Sequence, residues 1–228
     1  MKYTHCKNIN IEYEVVIGLE VHVQLLTKSK MFCSCSANYQ FAASNTLVCP
    51  VCIGLPGALP VINNQAVEFV IMTGLALESD ISKYTKFDRK TYPYPDLMKG
   101  YQISQYDAPI ANHGSLSIES GQNQKSVRVT RVHLEEDVAK LLHRTDNEGI
   151  RYSLLDLNRA GVPLMEVVSE PDMSNPEEAR NFLIELRSIL RYIGVSTANM
   201  EEGSFRCDAN ISVRPRGSDE LGAKVEVK

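Results

Sequence analysis

The 228 residues carry a formal net charge of −4, with 43% hydrophobic and 23% charged side chains, a balance that fits a globular domain long enough to bury one substantial core. It excludes a generally basic nucleic-acid binder, so any RNA contact must come from a local patch, another domain or a partner. The polar N-terminus MKYTHCKNIN and the short apolar window AVEFVIMTGLAL, interrupted by Glu68, read as neither signal peptide nor membrane span, so a cytoplasmic location without membrane contact is expected.

Residues 1–12 read as a loose tail. From Tyr13 the sequence alternates, with Val15, Ile17, Leu19, Val21, Val23 and Leu25 on one side and Glu20, His22 and Gln24 on the other. That predicts a half-buried strand with a polar second face. Residues 30–57 are rich in Cys, Ser, Asn, Pro and Gly and lack a helical period. A helix is expected at about 64–78, capped by Asn63 or Asn64 and carrying Ala66, Phe69, Val70, Thr73 and Leu77 at helical spacing.

The aromatic and basic stretch KFDRKTYPYPDLMKGYQISQY at 86–106 contains two prolines and predicts a structured loop or edge segment. Strand-like runs follow at 115–119, 126–135, 150–157 and 163–168. The clearest helix is 176–193, with Ser174 or Asn175 as cap, Pro176, Glu177 and Glu178 in the first turn, and Gly194 as terminator. Its apolar stripe is Ala179, Phe182, Leu183, Leu186, Leu190 and Ile193. Asp208, Asn210 and Ser212 then alternate with Ala209, Ile211 and Val213 in a further strand. The chain stops in the alternating run GAKVEVK, which gives the expectation that the domain continues beyond it. Strands in runs without a βαβ repeat predict an α+β domain with a largely antiparallel sheet.

In a reducing compartment the six cysteines do not read as disulfides. Cys33, Cys35, Cys49 and Cys52 form C-x-C, thirteen residues, then C-x-x-C, the two close pairs that a tetrahedral thiolate zinc site needs. Four thiolates leave no open position, so the zinc is expected to be structural. Cys6 and Cys207 have no partner at metal spacing.

Glu20 and His22 leave the same face of one strand and can together hold a divalent cation or share a proton. In VHLEED at 132–137, strict alternation places His133 and Glu135 on one face and Glu136 on the other beside Leu134. A bulge or strand end would reverse that choice, so spacing leaves both glutamates open. MEEGSFRCDANIS adds Glu201, Glu202, Arg206, Asp208 and Asn210. Carboxylates on three separate segments point to a Mg²⁺–nucleotide site, although no Walker loop or dinucleotide glycine fingerprint is present.

Seven segments stand in the order found in one family: VIGLEVHV (16–23), CPVCIGLPG (49–57), KFDRKTYPYPD (86–96), YQISQYD (101–107), HLEEDVAK (133–140), DLNRAGVPLMEVVSEPD (156–172) and MEEGSFRCDANISVRP (200–215). From residue 13 to 228 the chain resembles the catalytic domain of the B subunit of the aspartyl/glutamyl-tRNA amidotransferases. The resemblance implies a glutamine synthetase-like cradle around a metal–nucleotide site, with the zinc loop at 30–57 attached. It implies ATP-dependent conversion of misacylated Glu-tRNA(Gln) or Asp-tRNA(Asn), by phosphorylation of the side-chain carboxylate and displacement by ammonia. An amidase subunit supplies the ammonia in a heterotrimer with a small accessory subunit, and a helical tail outside this sequence grips the tRNA.

Residue by residue, the resemblance matches Glu20, His22 and Glu136 to catalytic, magnesium-binding positions, with Glu135 adjacent. It makes Lys90 a contact to nucleotide phosphate, with Arg89, Tyr92 and Tyr94 nearby. Glu202, Arg206 and Asp208 are expected to line the same cavity. ATP, Mg²⁺ and structural Zn²⁺ are the implied cofactors. A non-catalytic RNA-binding module, a free-standing glutamine synthetase-like ligase and the related archaeal-type subunit are the alternatives.

Overall fold

The computed structural model describes residues 12–228, so all of the expected tail except Glu12 lies outside the described residues. The chain runs β1 (Tyr13–Gln24), α1 (Asn64–Ala76), β2 (Asp80–Ile81), β3 (Asp88–Thr91), β4 (Tyr101–Ser104), β5 (Ala111–Ser120), β6 (Asn123–Glu136), β7 (Lys140–Thr145), β8 (Arg151–Asp156), β9 (Pro163–Ser169), α2 (Pro176–Tyr192), β10 (Phe205–Pro215) and β11 (Val225–Val227). Nine strands form one sheet in the order β11-β10-β1-β9-β6-β4-β3, with β5 beside β6 and β2 beside β5. Every pairing within it is antiparallel. The expected α+β class and antiparallel sheet are thus present. Strands β7 and β8 stand apart as a hairpin.

Alternation in β1 works as expected. Ile17, Leu19, Val21 and Val23 join Val127, Val129, Val132 and Leu134 of β6 and Met165 and Val167 of β9 in one core. Ala66 and Val70 of α1 and Phe182, Leu186 and Leu190 of α2 enter that same core, so both helices cover one face of the sheet. Asn175 caps α2 by accepting from the Glu178 amide at 2.9 Å, and Pro176 occupies the first turn where no amide bond is lost. The central face opposite the helices is left to the polar residues of the same strands.

One irregularity decides what that face contains. The β6–β9 register shifts between Val129 and Arg131, so Thr130 is an extra residue, a β-bulge. It lets Val127 and Val129 face the core before the bulge, and Val132 and Leu134 after it. Arg131, His133 and Glu135 consequently share the opposite face. The bulge lies upstream of the glutamate pair, so alternation holds through 131–136.

Four short strands are not legible in the sequence. Strands β3 and β4 form an edge hairpin within the stretch expected as a loop or edge, pairing Lys90 with Gln102. β2 has two residues, and β7 is too polar and exposed to show a buried face. No helix among the described residues is long and apolar enough to cross a membrane.

If the bulge rather than its side chain matters, two changes at one position will separate. Thr130→Ala loses only the hydroxyl bond to Glu170 and is expected to cost about 1 kcal/mol in urea denaturation. Deleting Thr130 forces one end of β6 to turn its apolar residues outward and is expected to abolish cooperative unfolding.

Candidate functional site

The antiparallel register sets side chains in rows across four strands. Arg206 of β10 pairs with His22 of β1, His22 with Glu166 of β9, and Glu166 with His133 of β6. The neighbouring row runs Asp208, Glu20, Val168, Arg131. Glu135 comes in from the end of β6. A single site is therefore assembled from residues far apart in the chain.

At its centre the Nε2 of His22 lies 3.5 Å from Glu135 and 3.9 Å from Glu166. His133, buried behind them, places Nε2 3.1 Å from Glu166. One ligand atom each from His22, Glu135 and Glu166 falls within 4.8 Å of the others, the size of a cation site. Glu20 borders the group and accepts from Asn210 at 2.9 Å.

Burial lowers His22 below the ordinary imidazole range, which favours the neutral ring that can act as a ligand. The two carboxylates are driven apart. Burial, with the Glu166 charge beside it, pushes the Glu135 carboxyl up to about 8. Burial pushes Glu166 up as well, but the His133 bond and charge, with His22 and Arg131, outweigh it and hold Glu166 at about 2. One carboxylate is thus ionised and one protonated at neutral pH, and a divalent cation would allow both to ionise.

Two cavities meet at this group. A space of about 420 Å³ is lined by Glu20, His22, Glu135, Glu166, Lys90, Tyr92, Arg206 and Asp208. A second, of about 750 Å³, shares Glu20, Lys90, Glu135 and Glu166 and adds Arg89 and Arg131. Arg206 is held by Asp137, which accepts from it at 3.1 Å and from Gln24 at 2.7 Å. A buried acid thereby fixes a guanidinium at the cavity wall.

Most of the expected residues gather here: Glu20, His22, Glu135, Lys90, Arg89, Tyr92, Arg206 and Asp208. Tyr94 does not line either space and stacks on Tyr92 with ring centroids 5.5 Å apart. Glu202 is not brought to the site. It lies in the turn before β10 and borders a separate groove with Tyr39 and Thr197, because the strand register begins only at Phe205.

Glu136 also departs from the expectation that it accompanies Glu20 and His22. It is on the core face, buried, and accepts from Lys99 Nζ at 2.5 Å and from the Ile103 amide at 3.0 Å. The physical reason is the pleat, which sends adjacent residues to opposite faces. Of the open pair, Glu135 is the one that the geometry brings beside His22.

Glu166, His133 and Asp137 were missed as site residues. Glu166 left a readable signal: a lone carboxylate inside the apolar run PLMEVV is a charge in a buried strand and needs a partner.

The four cysteines fit a metal independently. Ligand atoms of Cys33, Cys35, Cys49 and Cys52 all lie within 4.8 Å of one another. The first pair sits on a tight turn closed by the Lys30 amide to Cys35 carbonyl bond at 2.9 Å. The second sits on a turn closed by Ile53 to Cys49 at 3.1 Å, and the Cys49 amide points at Cys52 Sγ from 3.1 Å. Gly54, at φ +71°, supplies the left-handed residue that ends it. A hydrogen bond from Cys33, with the Cys49 amide and the nearby Lys30 charge, outweighs burial and lowers the Cys52 thiol to about 4. The donor set suits Zn²⁺.

Two measurements test these placements. Lys99→Met leaves the Glu136 carboxylate buried without its cation and is expected to cost about 3 kcal/mol, much of it recovered when Glu136→Gln is added, as read by denaturation. Because Glu135 is raised from 4.5 to about 8, its stabilising contribution in metal-free protein is complete below pH 4.5 and is lost as pH rises through 8. The stability of wild type relative to Glu135→Gln is therefore expected to fall between pH 5 and 9.

Comparison with known proteins identifies the family. Residues 15–228 match the family described as the GatB/GatE catalytic domain. The B subunit of the aspartyl/glutamyl-tRNA(Asn/Gln) amidotransferase of Dehalococcoides mccartyi is 68% identical over 217 residues, covering 95% of this chain and 44% of the relative. That of Thermomicrobium roseum is 62% identical and that of Moorella thermoacetica 58%, each over 96% of this chain and 45% of the relative. The chain thus spans less than half the length of these relatives, and across residues 15–228 it belongs to the GatB/GatE catalytic domain family.

Proposed function

We propose that this chain carries the phosphorylating centre of a tRNA-dependent amidotransferase, a glutamine-hydrolysing carbon–nitrogen ligase of protein biosynthesis. The reading rests on the His22–Glu135–Glu166 group at the junction of two cavities bordered by Lys90 and Arg206. The substrates are ATP and misacylated Glu-tRNA(Gln) or Asp-tRNA(Asn). An amidase subunit and a small accessory subunit complete the complex in the cytoplasm.

A carboxylate resists ammonia because oxide is a poor leaving group. An oxygen of the aminoacyl side-chain carboxylate attacks the γ-phosphorus of ATP, ADP leaves, and an acyl phosphate results. Ammonia then attacks the acyl carbon, phosphate departs, and loss of a proton leaves the amide. Such phosphoryl transfer depends chiefly on positioning and charge neutralisation. Glu20, His22, Glu135 and Glu166 would hold Mg²⁺, which when bound neutralises phosphate charge. Lys90 and Arg206 place cations on the wall of the same cavity, and Asp137 keeps Arg206 oriented. An open sheet face with metal-type carboxylates supports the reading of a glutamine synthetase-like cradle, and the domain is proposed to span residues 13–228.

The cysteine loop is assigned to structural zinc, held by Cys33, Cys35, Cys49 and Cys52. It joins the rest of the domain through Asn45, whose side chain bonds the Leu155 carbonyl at 3.0 Å and the Leu157 amide at 2.8 Å. The Leu47 amide adds a bond to Asn158 at 2.8 Å.

The test uses full-length protein with its amidase and accessory subunits, misacylated tRNA and γ-labelled ATP. Glu135→Gln is expected to reduce phosphoryl transfer by about 100-fold or more while glutamine hydrolysis by the partner continues. Glu136→Gln is expected to lose stability and to keep most of the transfer activity. Wild-type phosphoryl transfer in Glu135→Gln would overturn the site.

A further inference from the structure

The zinc loop contains a charge that its four cysteines alone do not explain. Lys30 is fully buried, at 0% exposure, and ranks with Phe182 and Phe205 among the large fully buried side chains of the described residues. Its Nζ donates to the Leu47 carbonyl at 2.8 Å and lies 3.4 Å from the Leu157 carbonyl. Among the described residues no Asp or Glu oxygen lies within 4.0 Å of it. Two neutral carbonyls are weak compensation for an ammonium removed from water. Burial of this kind normally needs an anion close by.

Lys30, Cys33 and Cys52 line one small cavity together with Gly161. The carboxylate lining the same cavity, Glu136, is engaged by Lys99, which leaves the cysteines of the loop as the groups that can supply the anion. A Cβ built on Gly161 would sit 3.6 Å from both Cys52 Cβ and Lys30 Cδ, so the lysine stem and the cysteine share one wall. Leu47, which accepts from the ammonium, is two residues before Cys49. Zn²⁺ with four thiolates carries a net charge of −2, so a buried tetrathiolate centre needs cations as much as this lysine needs an anion.

We propose that Lys30 is the built-in counter-cation of the zinc centre, a positioning residue that is not itself a ligand. This rests on the structural-zinc reading. It makes zinc binding and lysine burial mutually dependent: each charge lowers the cost of burying the other. In the absence of metal, the loop offers the lysine a smaller compensating charge than the metal-bound centre does.

The experiment measures zinc affinity by chelator competition, and melting temperature with and without zinc, for wild type, Lys30→Met and Lys30→Gln in the full-length protein. Both variants are expected to bind zinc about tenfold or more weakly, with the metal-bound forms melting lower than metal-bound wild type. The metal-free variants are expected to differ less from metal-free wild type than the metal-bound variants differ from metal-bound wild type. Lys30→Gln, which keeps a donor for Leu47, guards against misfolding of the apolar variant. Wild-type zinc affinity in either folded variant overturns the counter-cation while leaving the zinc site standing. A wild-type protein that binds no zinc overturns both.

Discussion

The pairing register of β10, β1, β9 and β6 is the constraint on which the site depends. Four antiparallel strands bring Arg206, His22, Glu166 and His133 into one row, although His22 and Arg206 are separated by most of the chain. A one-residue slip in any pair would rotate that strand's polar residues into the core and its valines and leucines outward. The hydrophobic core therefore enforces the register, and the register builds the site. Thr130 completes the arrangement, because its bulge keeps both halves of the long β6 strand packed while fixing which side His133 and Glu135 face.

The acidic run Glu135–Glu136–Asp137 illustrates how one short segment serves three environments. Glu135 enters the cavity, where burial and Glu166 favour its protonated form. Glu136 points to the core side and is satisfied by Lys99 and the Ile103 amide. Asp137, just past the strand end, collects Gln24 and Arg206 and turns the guanidinium toward the cavity. Three adjacent acids thus act as candidate ligand, buried ion-pair member and orienting group. The difference comes from pleat and strand end, not from residue type.

The cysteine loop and the carboxylate group obey opposite logic as candidate metal sites. Thiolates paired on two turns of one loop form a closed donor set, suited to holding a segment that has little core of its own. Bonds from Asn45, Leu47 and Lys30 run to residues 155–158, shortly before β9, which carries Glu166. The stability of the loop and the position of that strand are therefore physically linked. The carboxylate–histidine group, by contrast, faces open cavities on the exposed side of the sheet, where a cation and its substrate could both reach it.

By itself the sequence determined the elements whose periodicity is strong. These are β1 with its two faces, the capped helix α2, the antiparallel class and the cysteine pairs, whose ligand spacing is local. It also carried enough ordered motifs for the family to be recognised. The tertiary structure alone decided what depends on contacts between distant strands. It brought Glu135 rather than Glu136 to the cavity beside His22, set Glu166 and His133 next to it, left Glu202 outside, and buried the Lys30 stem beside Cys52. Each of these outcomes follows from strand register or loop packing, and neither is encoded within a window of neighbouring residues.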